Sequence, residues 1–197
     1  MLVCLVIVVT VALGGYFLLK PRDPALEDVE VLAIIAEGSD YWELDEVNRT
    51  LVGEGIVLTT ASFTTGKISN LRVQISFDDV DVSQYDAIFI PGGSGPENII
   101  NHPDGQKVFD ILVQANDQGI LIAAICHGPW VLAAADLVDG KNVTCFNDPD
   151  MRNDLINSGA TVDTRKRVIR DGNIITANGP YAVDAFTEEI LNVLIER

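Results

Sequence analysis

The stretch ILIAAICHGPWVLAAA (Ile120–Ala135) decides how this chain is read. Two apolar runs meet at Cys126-His127-Gly128-Pro129. The first is short and reads as a buried strand, ILIAAIC. The second, PWVLAAADLV (129–138), reads as a helix opened by a proline, whose missing N–H costs nothing in a first turn. Between them, Ala124-Ile125-Cys126-His127-Gly128 has the small-x-nucleophile-x-Gly spacing of a nucleophile elbow. A sharp strand-to-helix turn lifts the central side chain out of the sheet, and small residues on either side let backbones cross closely. The thiol then stands at a helix N-terminus, where the dipole and free N–H groups favour thiolate. Cys126 is therefore the candidate nucleophile, and His127 the adjacent base or orienting group. An isolated cysteine reads more simply as an inert core residue. The Gly-Pro pair and the flanking small residues argue for the elbow.

Working outward, short apolar runs alternate with longer amphipathic ones. VEVLAIIA (29–36), IVLTTAS (56–62), YDAIFIPGG (85–93) and NVTCF (142–146) read as strands. DYWELDEVNRTLVGEG (40–55), GQKVFDILVQANDQG (105–119), DPDMRNDLINSG (148–159) and YAVDAFTEEILNVLIER (181–197) read as helices. ATVD, VIR and NIITAN read as short strands, and residues 64–84 as a hairpin-like excursion. Alternating strands and helices predict an α/β fold with a mostly parallel sheet covered on both faces. In such sheets ligands bind at the carboxyl ends of the strands. That places three segments together: Glu37–Glu43, Pro91–Glu97 and Cys126–Gly128.

Two of these segments carry further candidates. In Pro91-Gly92-Gly93-Ser94-Gly95-Pro96, Gly92 and Gly93 let backbone N–H groups approach a ligand, as in an oxyanion hole. An ordinary glycine turn explains the segment equally well. Glu43 sits in a helix face otherwise formed by Tyr41, Trp42, Leu44 and Val47. A solvated charge is the usual explanation. If Glu43 instead faces the strand ends, burial raises its pKa and its carboxyl can hydrogen-bond the thiol. His102, in NHPDG, reads as a loop residue.

Composition narrows the class. The chain has 197 residues, a net charge of −16 and 48% hydrophobic residues, which suits one globular domain plus an appendage. Such acidity disfavours nucleic-acid binding. The three cysteines show no CxxC or Cys/His ligand spacing, so neither a disulfide framework nor a metal site is expected. No cofactor is expected either. Leu2–Leu19 is free of charge and predicts one N-terminal transmembrane helix, with an uncleaved signal (residues 1–20) as the alternative. Residues 21–28 read as a linker. Lys20 and Arg22 weakly favour a cytoplasmic side for the body. Asn48-Arg49-Thr50 and Asn142-Val143-Thr144 match the glycosylation pattern, which chance often produces.

Together, AICHGPWVL, IFIPGGSGPENI, IIAEGSDYWEL and the tract from Asp150 to Phe186 resemble the ThiJ/PfpI superfamily, most closely its PfpI intracellular-protease branch. The resemblance covers Val29 to the end. It implies a flavodoxin-like three-layer sandwich of the class I glutamine amidotransferase type, with Cys126 as reactive thiol and His127 as its partner. It also implies that Glu43 contacts the thiol, and that Gly92 and Gly93 form the oxyanion turn, aided by N–H groups near the elbow such as that of Gly128. Glu97 would reach the cysteine–histidine pair of a neighbouring subunit, so a homo-oligomer with a shared site is expected. The chain departs from the pattern in two places. Ala177-Asn178-Gly179-Pro180 lacks an arginine before the proline, and Phe146 replaces a tyrosine. The resemblance implies a small carbonyl or peptide substrate, handled by peptidase or glyoxalase/deglycase chemistry. A membrane-anchored redox sensor or chaperone using the same cysteine is the other reading.

Overall fold

The computed structural model describes residues 8–11, 15–18 and 23–197. Near the N-terminus, β1 (Val8–Val11) pairs antiparallel with β2 (Gly15–Leu18). This corrects the expected transmembrane helix, because two parts of the proposed span are strands. Among the described residues no helix is long and apolar enough to cross a membrane. The expected single-pass membrane localisation, with its cytoplasmic side, loses its basis with that helix. Val8, Val9, Thr10 and Val11 are β-branched, and Gly14-Gly15 interrupts the apolar run, so local preference opposes a continuous helix. Residues 1–7, 12–14 and 19–22 of the expected anchor and linker lie outside the described residues.

The body begins with β3 (Glu30–Ile34), α1 (Tyr41–Glu54) and β4 (Val57–Ser62). A hairpin of β5 (Gly66–Ile68) and β6 (Leu71–Val73) follows, then β7 (Ile75–Ser76) and β8 (Ala87–Ile90). Next come α2 (Gly95–Ile100), α3 (Gly105–Asp117), β9 (Leu121–Ile125) and α4 (Pro129–Ala134). The chain ends with β10 (Asn142–Val143), α5 (Pro149–Asn157), β11 (Thr161–Val162), β12 (Val168–Asp171), β13 (Ile174–Ala177) and α6 (Val183–Ile195). The main sheet has the order β12-β13-β9-β8-β3-β4-β7, with every pair parallel except β12–β13.

The central strands are buried apart from Glu30 at the start of β3, as a sheet covered on two faces requires. One face packs Leu32, Ile34, Ile88, Ile90, Ile122 and Ala124 beneath α3, α4 and α5. The other packs Val31, Ala33, Phe89, Ala123 and Ile175 beneath α1 and α6. This is the three-layer flavodoxin-like sandwich. Pairings such as Ile90 with Ala124 and Ala177 with Ile125 end neighbouring strands at one level. The segments that follow β3, β8 and β9 therefore emerge on the same edge.

Two helices differ from their sequence readings. Helix α4 stops at Ala134 rather than Val138, because Asp136 adopts a left-handed backbone (φ +55°) that turns the chain away. Helix α1 matches its expected span but buries Glu43, Leu44, Val47 and Leu51, leaving Tyr41 and Trp42 about half exposed. Positions 43, 47 and 51 repeat every four residues, so Glu43 lies on the core stripe and the two aromatics lie off it.

Candidate active site

The elbow is built by backbone contacts. Cys126 donates its N–H to Ala177 O at 2.9 Å, and its carbonyl accepts from Phe146 N–H at 2.9 Å. Held from both sides, Cys126 adopts φ +60°, a left-handed conformation that costs a non-glycine residue about 1–2 kcal/mol. Gly128 follows in the tight turn, where an added Cβ would lie 2.6 Å from Ile90 O and 2.9 Å from Ile125 O. Its N–H donates to Ile125 O at 2.7 Å, so it closes the turn and is not free to receive an oxyanion.

The loops after β3 and β8 are tied together beside this elbow. Asp40 N–H donates to Gly92 O, Ser94 N–H donates to Gly38 O, and Ser39 pairs with Gly93 across a short bridge. Gly93 needs its freedom here: its φ is +76°, and a Cβ would lie 2.3 Å from Gly38 O. Asp40 then caps α1 by accepting Glu43 N–H at 2.9 Å, which sets Glu43 in the first turn, under the Pro-Gly-Gly segment. Gly38 and Ser39 were not singled out from sequence; their signal was the glycine between β3 and the Asp40 cap.

Glu43 is fully buried, and its Oε2 accepts Gly92 N–H at 2.7 Å. That N–H is thereby committed to the carboxyl rather than to an oxyanion. An added Cβ on Gly92 would stand 2.5 Å from Cys126 Cβ, 2.9 Å from Sγ and 2.9 Å from Glu43 Oε2. Glycine at this position lets carboxyl and thiol meet. Oε1 of Glu43 is buried with no hydrogen-bond partner among the described residues, and the thiol also interacts with this carboxyl.

Burial dominates the electrostatics of the pair. It pushes the Glu43 carboxyl up to about 7, against the lowering effect of the Gly92 N–H and with a further push from Asp40. Burial, followed by the charge of Glu43, pushes the Cys126 thiol up to about 12, while N–H groups of Gly93 and His127 pull it down. Burial and the neighbouring acid therefore act against the N–H groups at this helix start, which favour thiolate. The carboxyl thus gives up its proton at about 7 and the thiol only at about 12, so one proton stays with the pair between those values.

His127 stands with Nδ1 3.4 Å from Cys126 Sγ, half-buried against Phe146 at a centroid separation of 5.1 Å. Glu97 lies in the first turn of α2 and is exposed. None of the hydrogen bonds or ion pairs among the described residues uses its carboxylate, and within one chain it is not brought to His127. His102 stacks on Phe63 at 3.6 Å and belongs to a different part of the edge. Among the described residues no group of three or more His, Cys, Asp or Glu could hold a metal ion.

Sequence comparison gives this geometry its family. The DJ-1/PfpI family profile matches residues 29–193. The deglycase TK1284 of Thermococcus kodakarensis is 31% identical over 172 residues, 84% of this chain and 99% of that protein. A Bacillus subtilis protein provisionally named a cysteine protease, YraA, is 36% identical over 140 residues, 71% of this chain and 79% of that protein. Among solved structures, Drosophila melanogaster DJ-1beta superposes with a TM-score of 0.76 at 29% identity, covering 86% of this chain and 91% of that one. Over its whole α/β body, the chain belongs to the DJ-1/PfpI family.

Proposed function

We propose that the chain is a cysteine-dependent enzyme of the PfpI type that attacks carbonyl carbon, with deglycase or glyoxalase chemistry ahead of peptide hydrolysis. One observation carries the reading: a thiol held at φ +60° against a fully buried carboxyl, with one glycine separating them. Relatives named deglycases support the choice of carbonyl substrates, and the protein provisionally named a protease keeps acyl substrates in second place.

In this reading Sγ attacks as thiolate while the Glu43 carboxyl holds the proton. Moving that proton from sulfur to carboxyl creates the nucleophile without changing the charge of the pair. The Gly93 and His127 N–H groups, which face the sulfur, are placed to receive the negative charge that develops on the carbonyl oxygen. His127, in contact with Sγ, carries a proton to or from the adduct. The exposed Glu97 orients His127 of a second copy of the chain, in a homo-oligomer whose sites are shared.

The test is turnover by the full chain and by Cys126→Ala, followed as loss of methylglyoxal, release from glycated peptides and cleavage of a fluorogenic peptide panel. Methylglyoxal or glycated-peptide turnover that disappears in the variant is the expected result. Full turnover retained by Cys126→Ala would end the nucleophile assignment. Light scattering showing monomer alone would remove Glu97 from the site.

A further inference from the structure

Phe146 closes one side of the elbow. Its ring is tilted 33° against the His127 imidazole, and its own N–H binds the carbonyl of Cys126. Gly179 lies behind it, where an added Cβ would reach 3.4 Å from Phe146 Cδ2. The ring is fixed on these sides, yet 43% of the residue faces solvent, whereas Phe77, Phe89 and Phe186 lie in the core. A large apolar surface, pinned beside a thiol and uncovered within one chain, favours an apolar contact from whatever reaches that thiol.

Charge narrows the ligand further. The charged groups acting on the thiol–carboxyl pair are Glu43 and Asp40, both acidic, within a chain of net charge −16. A carboxylate-bearing ligand enters against that field, and an uncharged one does not.

We propose that Phe146 is the substituent subsite of the Cys126 site, and that the site takes uncharged carbonyl compounds bearing an aryl or bulky apolar group in preference to carboxylate-bearing ones. The proposal rests on Cys126 as the reacting thiol. The Sγ–C bond forms as the carbonyl π pair moves to oxygen, and the oxygen takes the proton held by Glu43. The product is a neutral hemithioacetal beside an ionised carboxylate, with no electron transfer. The aryl group of the adduct packs against Phe146.

Alkylation tests the subsite without relying on turnover. The full chain is treated with bromoacetate, bromoacetamide or 2-bromoacetophenone. In each case sulfur displaces bromide, and the rate at Cys126 is followed by peptide mass and divided by the rate for N-acetylcysteine at the same pH. The normalised rate for 2-bromoacetophenone should exceed that for bromoacetate by about tenfold or more, a scale that burying one ring readily supplies. Phe146→Ala should reduce that ratio about fivefold, Phe146→Leu should retain part of it, and Tyr181→Ala should leave it unchanged. A flat ratio, a ratio unaffected by Phe146→Ala, or no reaction at Cys126 would each overturn the subsite. Absence of methylglyoxal and phenylglyoxal turnover alongside an intact ratio would instead count against the enzymatic reading alone.

Discussion

Cys126 and Cys145 make a controlled comparison within one molecule. Both are buried, and burial pushes each thiol up to about 12. Cys145 is fully buried in the core with Met151 and Leu155, between the opposed influences of Asp148 and Arg152. Cys126 retains 7% exposure and has an acid as its neighbour, which can exchange a proton with it. A raised thiol is therefore not by itself a sign of inertness. What separates the two cysteines is whether the proton has somewhere close to go.

The comparison breaks most sharply in turnover. Cys126→Ala should reduce activity about 10³-fold or more, as loss of a covalent nucleophile does, while Cys145→Ala should stay within about twofold of wild type. Cys145→Ala should instead cost about 1 kcal/mol in denaturant unfolding, from lost packing. Equal activity losses in the two variants would collapse the distinction.

Chemical modification sharpens it. Under mild peroxide, Cys126 should gain oxygen at least about tenfold faster than Cys145, because oxidation follows thiolate character and access. Equal rates by peptide mass spectrometry would show that the shared proton confers no reactivity.

The role of Glu43 gives a signed pH effect. Alkylation of wild-type Cys126 should rise about tenfold per pH unit below about 7 and level off above it. In Glu43→Gln the rise should move to higher pH, since no acid remains to take the proton. Stability should move the other way. The folded carboxyl titrates at about 7, above its ordinary 4.5, so wild type loses stability as pH climbs between those values. Glu43→Gln, which can still accept from Gly92, should gain up to about 3 kcal/mol at pH 8 and nothing at pH 4. An equal gain at both pH values would show that packing, not ionisation, is responsible.

The smallest change is Gly92→Ala, with one methyl placed between thiol and carboxyl. It should destabilise the fold by about 1–3 kcal/mol and slow Cys126 alkylation, leaving Cys145 unaffected.

Much of this site is legible in the sequence. The elbow could be read because a buried strand, a proline-started helix and a glycine that tolerates no Cβ impose local rules. Glu43 could be suspected because it interrupts an apolar helix face. Its exact face could not be read, since bulky Tyr41 and Trp42 imitate a core stripe until the four-residue repeat of 43, 47 and 51 is tied to the sheet. The N-terminal segment misled for a related reason. Hydropathy scores an apolar run without regard to its β-branched content, and β1 and β2 now occupy two parts of the expected helix. The balance of effects at the thiol is not legible in sequence, because a helix end can be seen there, whereas the depth of burial cannot. The roles given to Gly92 and Gly128 as oxyanion donors required knowing which acceptors already held their N–H groups.

The left-handed backbone of Cys126 carries an evolutionary implication. Glycine, asparagine or aspartate would occupy φ +60° with less strain, so the sturdiest version of this fold is one that has given up its thiol. A lineage released from selection for chemistry would drift toward those residues at this position. Persistence of cysteine there among relatives would be a record of use, because thermodynamics alone would replace it.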